Sequence, residues 1–171
     1  TNLSGVDLST TILEGVNLIR ANLHNTTLTG ANLKNSNLSN LDLHGLNLRK
    51  TNLSKANLVG AKLNNTDLTG ANLSKANLAG ANLASALLDR ANFAGAILRD
   101  VNFESSSLKE VNFSGANLRK TNLSGLNLRE TNLSGAILVS AKLNNTDLTG
   151  ANLERSNIKN TSLQGTIFCQ T

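Results

Sequence analysis

The chain has 171 residues, an ordinary length for one domain, and a net charge of +5 from 16 Lys and Arg against 11 Asp and Glu. It holds no Pro, Met, Trp or Tyr and only four Phe, which excludes a globular core filled by aromatic volume, while 39% apolar residues, mostly Leu, exclude a disordered chain. A single cysteine, Cys169, excludes an internal disulfide and a multi-cysteine zinc site; no run of about twenty apolar residues writes a membrane-inserted helix, and no charged segment followed by an apolar one opens the chain as a signal peptide would.

From Thr1 the chain divides into 34 units of five, with Thr171 left over. The third residue is Leu 29 times, Phe four times and Ile once. The first residue is small: 14 Ala, 11 Thr, 4 Val, 3 Ser and 3 Leu over its 35 positions. The second is Asn in 20 units and Asp in four, and all 13 Gly stand fifth. No insertion shifts the phase. A helix turns a spacing of five by about 140° per step, so it cannot keep these Leu on one face. A flat strand puts residues five apart on opposite faces. The pattern needs a chain that turns a corner in every unit, with the first and third residues inward and the other three outward.

In chain order, the first lap carries Leu3, Leu8, Leu13 and Leu18 at inward positions. Next come His24 and His44, separated by four whole units, with Asp42 in the same unit as His44. Residues 41–73 match residues 121–153 at 26 of 33 positions, and AKLNNTDLTGANL occurs at both 61 and 141. The offset of 80 keeps the duplicated stretch on one face if four units make a lap, although other lap sizes fit it too. Four units per lap would stack Leu53, Leu73, Phe93, Phe113 and Leu133 in one inward column. Phe103 would face that column from the opposite wall, and Phe168 would sit inward in the final lap. The rings are read as core filling. At the corners, Gly or Asn stands fifth in 19 of 34 units, as a type II turn with positive φ requires. Charged fifth residues such as Lys50, Arg90 and Glu130 are expected to take type I corners with negative φ, giving a mixture.

The units ANLSK, ANLAG, TDLTG and ANLER resemble the A-(D/N)-L-x-x motif of pentapeptide-repeat proteins, and the resemblance runs through all 171 residues. It implies an all-β fold: a right-handed quadrilateral parallel β-helix with four pentapeptides per coil. Residues 1–171 would form a single domain of about 8.5 coils. At the β spacing of about 4.8 Å per coil the rod would be roughly 40 Å long. Family members often carry an N-terminal capping helix, and some a C-terminal dimerisation segment. This chain starts and stops in phase and shows neither. Its uncovered coils, with Leu163 and Phe168 at one end, are expected either to associate end to end or to be covered by caps beyond Thr1 and Thr171.

Chemistry is hard to find in the pattern. His24, His44 and Asp42 would line one flat wall, short of ligands for a metal site, and are read as a solvated ladder. Cys169 points outward without a base beside it. The sequence contains no GxGxxG, P-loop or HExxH motif. The expectation is a protein that is not an enzyme, with no catalytic, cofactor-binding or metal-binding residues and no cofactor. Charge is spread over three walls. One carries Arg49, Lys50, Arg90, Lys109 and Arg129 with Asp67, Asp89, Glu110, Glu130 and Asp147. The next carries Lys34, Lys55, Lys75 and Arg155. The fourth carries Arg20, Arg99, Arg119, Lys120 and Lys159 with Asp100. Arg49, Lys50, Arg90, Arg99, Lys109, Arg119, Lys120 and Arg129 are therefore the candidate partner-contact charges. Nucleic-acid binding is disfavoured, because a binder would concentrate its cations and add stacking aromatics.

The resemblance offers two functional precedents. The quinolone-resistance group resembles a DNA duplex in shape and negative charge and binds type II topoisomerases, a mimicry that a net-basic rod disfavours. Cyanobacterial members look like scaffolds or regulators. The expected function is a non-enzymatic, rigid solenoid that acts as a protein–protein interaction or scaffold module with an unidentified protein partner. The alternatives are the DNA mimic and a basic rod for anionic partners. A bacterial cytoplasm is the expected location, or the periplasm or thylakoid lumen if a targeting segment has been removed.

Overall fold

The computed structural model describes residues 1–169. Parallel β pairing joins second residues four units apart, from Asn2 with Asn22 to Asp147 with Ile167, with three gaps described below. Four units therefore make a coil, and each coil stacks on the next. Wall 1 holds the units beginning at residues 1, 21, 41 and so on. Wall 2 begins at residue 6, wall 3 at residue 11 and wall 4 at residue 16, with the same step. No helix long and apolar enough to cross a membrane occurs among the described residues.

The inward positions form columns of Leu and Ala. Leu53, Leu73, Phe93, Phe103, Phe113 and Leu133 are all fully buried. Phe93 stacks on Phe113 with ring centroids 5.4 Å apart, and Phe103 meets Phe113 edge-on at 6.2 Å. Burying one Leu in this way contributes about 1.5–3 kcal/mol. Phe168 departs from the core expected of it. It is 49% exposed, because no coil among the described residues lies over it.

The unit 71–75 shows how the backbone is satisfied. The Ser74 N–H donates to Asn72 Oδ1 at 3.1 Å within the unit. The Asn72 N–H donates to Thr51 O in the preceding coil at 2.9 Å. The Leu73 N–H donates to Asn92 O at 2.7 Å and the Lys75 N–H to Ala94 O at 2.8 Å, both in the following coil. The Ala71 N–H donates to Leu68 O at 2.9 Å and closes the previous corner. All five amides have a partner, and four of them depend on another unit.

The corners correct the expected mixture. Every described fifth residue has positive φ, between 55° and 72°, including Lys50 at 55°, Arg90 at 61° and Glu130 at 59°. The corner's central peptide supplies the reason. Its carbonyl and the following N–H belong to a ladder running from coil to coil, as in Lys50 N–H to Thr69 O at 3.1 Å and Glu130 N–H to Thr149 O at 3.0 Å. A type I corner turns that peptide over and sets carbonyl against carbonyl. It would lose a bond on each side, worth about 0.5–1.5 kcal/mol apiece, and would oppose like dipoles as well. Together these outweigh the cost of about 1–2 kcal/mol for a left-handed residue. Turn type thus belongs to the column, not to the residue. Gly80→Ala tests this cost alone, since the added methyl would meet nothing within 4 Å. Its equilibrium unfolding should show a loss of about 1 kcal/mol; an unchanged stability would remove the strain argument.

The stack opens at two places. Leu occupies the small first position only at residues 41, 46 and 126. Among the described residues, Asn22 does not pair with Asp42, Thr27 does not pair with Asn47, and Ser107 does not pair with Asn127. The N–H groups of Leu23, Leu28 and Leu108 find no backbone partner there. Walls 3 and 4 stay closed at the same levels, as in Leu33 N–H to Asn52 O at 2.7 Å and Phe113 N–H to Asn132 O at 2.7 Å. A branched side chain where the stack is built for Ala or Thr wedges walls 1 and 2 apart. Hydrogen exchange should therefore be faster at Leu23, Leu28 and Leu108 than at Leu63, Leu68 and Leu88, which occupy equivalent positions. Equal protection in the two sets would contradict the wedge.

Candidate interaction surface

The outward faces are held by side-chain ladders. On wall 3, Asn72, Asn92 and Asn112 each donate from Nδ2 to the Oδ1 of the Asn one coil before, at 3.5, 3.4 and 3.1 Å. The same oxygens also accept the N–H two residues on, which fixes the corner (an Asx turn). Where Ser107 and Ser162 replace Asn, the coil before supplies the acceptor. Asp89 Oδ1 takes the Lys109 N–H at 3.0 Å and the Ser107 hydroxyl, and Asn144 Oδ1 takes the Gln164 N–H at 3.0 Å and the Ser162 hydroxyl at 2.6 Å. Sequence reasoning missed these substitutes. Their signal is an Asp or Asn standing fourth in the unit one coil before a second-position Ser.

The eight candidate charges divide by wall. On wall 2, Arg49 pairs with Asp67 at 3.0 Å, Arg90 with Glu110 at 2.9 Å, Lys109 with Glu110 at 3.4 Å and Arg129 with Asp147 at 3.2 Å. Lys50, at the corner of that wall, makes no ion pair among the described residues, and neither do Arg99, Arg119 and Lys120 on wall 4. Three of the five wall 2 acids, Asp67, Glu110 and Asp147, are thus neutralised locally, and Asp89 and Glu130 make no ion pair among the described residues. Burial pushes the Asp67 carboxyl up, but hydrogen bonds from Thr69 and the Arg49 guanidinium together hold it below the usual range. The Thr69 counterpart at Thr149, with Arg129 behind it, likewise lowers Asp147.

Such half-exposed pairs, screened by water, are worth little singly. Their sign is definite. The folded values lie below the ordinary carboxylate value of about 3.9, so the stabilisation is present above that value and is lost as pH falls through the lowered ones. Asp67→Asn/Asp147→Asn keeps an oxygen for the turn and removes the titration. Its melting temperature should fall less steeply than the parent's between about pH 5 and pH 2.5. Parallel slopes would show that the pairs contribute nothing.

The two openings are shallow clefts. One, of about 190 Å³, is lined by Ala21, Asn22, Leu23, His24, Asp42, His44 and Leu46. The other, of about 410 Å³, is lined by Asn102, Glu104, Ser105, Asn122, Ser124, Gly125 and Leu126. His44 Nδ1 lies 2.7 Å from Asn64 Nδ2 and 3.1 Å from Asn64 O, so the ring is held against the next coil. Among the described residues no three His, Cys, Asp or Glu group closely enough to hold a metal ion. In the second cleft no hydrogen bond among the described residues joins the Glu104 carboxylate to Ser105 or Ser124, and Cys169 is exposed and free. What the arrangement offers is a set of flat walls with fixed side chains.

The comparisons fit that geometry. A family described as pentapeptide repeats matches residues 1–40, 96–135 and 136–171, and a pentapeptide repeat region matches residues 47–113. The chain is similar to HetL, a pentapeptide repeat protein involved in heterocyst differentiation regulation from the cyanobacterium Nostoc sp. strain PCC 7120. The two are 31% identical over 98% of this chain and 84% of that one, with a TM-score of 0.70. It is also similar to a trypsin-treated form of QnrB1, a plasmid-mediated fluoroquinolone resistance protein. There the identity is 21% over 98% of this chain and 88% of that one, with a TM-score of 0.72, a likeness of fold alone. No curated protein sequence matches the chain.

Proposed function

The chain belongs to the pentapeptide-repeat family, whose fold is the right-handed quadrilateral β-helix, and from that premise we propose that it is a non-catalytic, rigid protein-interaction module with a scaffold or regulatory role. One observation carries the reading. The inward third residue hardly varies from coil to coil and the inward first residue stays small in all but three units, whereas the outward fourth residue, fixed by ladders and Asx turns, is where the coils differ most. A rod of this kind holds an outward pattern in place without conformational cost, which favours recognition of another surface over turnover of a substrate. The similarity to HetL, a pentapeptide repeat protein involved in heterocyst differentiation regulation, supports a regulatory role of this kind.

Mimicry of an acidic duplex finds no support in the charge map. The chain is net +5, and the wall 2 acids Asp67, Glu110 and Asp147 are each paired with a cation.

Benzoyl-phenylalanine placed in turn at Ser124, Thr149, Ser134 and Val139 samples the four walls in neighbouring coils. Photo-crosslinking in the cell that makes the chain should give a discrete protein adduct from one wall and none from the opposite one. Absence of an adduct from every wall would overturn the proposal.

A further inference from the structure

We propose that the second half of wall 4, in the units 96–100, 116–120, 136–140 and 156–160, docks an acidic, apolar-flanked segment of a protein partner; the inference rests on the interaction-module reading above. These four units hold Arg99, Arg119, Lys120 and Lys159, four of the chain's 16 cations, against Asp100 alone among its 11 acids. All four cations are exposed. None of them makes an ion pair among the described residues, although Asp100 and Lys120 are neighbours in the same corner column. On wall 2 the same kind of stacking is relieved by carboxylates at 2.9 to 3.4 Å. Arg99 and Arg119 instead stand on adjacent coils, about 5 Å apart along the stack, with no ion pair to either among the described residues. Like charges so placed repel, and an external anion relieves them.

Apolar side chains distinguish this patch from other unpaired cations. Ile97 is 38% exposed on the face, and Ile137 and Val139 are half-buried on it between the Arg119 and Lys159 coils. Among the described residues the other stacked pair of free cations, Lys55 and Lys75 on wall 3, has Ser54, Ser74, Asn52 and Asn72 around it and only the small Ala94 as an apolar neighbour on its face. Phosphate groups lying on wall 4 would cover Ile97 and Val139 with charge, and the patch holds no aromatic ring on which a base could stack. Carboxylates alternating with aliphatic side chains satisfy both features. Four coils by one wall measure roughly 15 Å by 10 Å. That is far below the ~800 Å² per partner of a stable dimer, so the fit is to a short segment and not to a second copy.

The probes are a fluorescein-labelled 18-residue peptide of Glu, Leu and Ala, poly-Glu of equal length and a 20-nucleotide single-stranded DNA, read by anisotropy on the full chain. The mixed peptide should bind more tightly than either of the others. Arg99→Glu/Arg119→Glu should weaken it about tenfold or more, while Lys55→Glu/Lys75→Glu, with the same change in net charge, should leave it within about twofold. Ile97→Ser/Val139→Ser should weaken the mixed peptide and leave poly-Glu unchanged. Melting curves establish that each variant is folded. Equal losses from both charge-reversal pairs would reduce the effect to net charge and overturn the proposal, as would tighter binding of the DNA. Crosslinks from a wall other than wall 4 would sink this face while sparing the module reading, whereas crosslinks from no wall would sink both.

Discussion

The constraint on which everything else rests is the hydrogen-bonded stacking of each unit on its equivalents in the coils above and below. Four of the five amides in a unit such as 71–75 are satisfied by another unit, three of them by a neighbouring coil. No unit can therefore choose its conformation alone. The corner peptides show this most directly, since Lys50, Arg90 and Glu130 adopt the same left-handed geometry as the glycines around them. The ladder imposes a conformation that none of these side chains favours. The cost is spread over a column whose members support one another, as expected of a nearest-neighbour solenoid.

The same constraint explains where the stack fails. A first-position Leu at 41, 46 or 126 is only a few heavy atoms larger than the usual Ala or Thr, yet the ladder on walls 1 and 2 opens beside it. Walls 3 and 4 remain paired at those levels, so the rod gapes on one side and does not break. Leu46 and Leu126 hold the same place in the two copies of the internal duplication. Because the copies are offset by a whole number of coils, the duplicated wedges and the duplicated ion pairs Arg49–Asp67 and Arg129–Asp147 fall on the same sides of the rod.

With core and corners spoken for, difference between coils is left to the outward positions. Wall 2 answers cations with acids, wall 3 runs a nearly pure Asn ladder, and wall 4 in its second half leaves cations unanswered among aliphatic side chains. A regular scaffold with walls so unlike one another suits recognition by one face at a time. No group of three His, Cys, Asp or Glu close enough to hold a metal ion interrupts the walls among the described residues.

The sequence by itself determined the inward and outward phase, the recurrence of corners and the family. These follow from spacing along the chain, and the burial of Leu53, Leu73 and Phe93 is the direct expression of a third-residue rule. The offset of the duplication suits several lap sizes; the family resemblance implied four units per coil, and the pairing of Asn2 with Asn22 and its successors bears that out. Corner type was misread residue by residue, since the deciding bonds, such as Lys50 N–H to Thr69 O, reach into the neighbouring coil. The wedges, the Asp89 and Asn144 acceptors and the sorting of Arg49, Arg90, Lys109 and Arg129 from Arg99, Arg119 and Lys120 were decided only by tertiary structure. Each depends on which side chain stands one coil away, and that neighbour exists only once the coils are stacked.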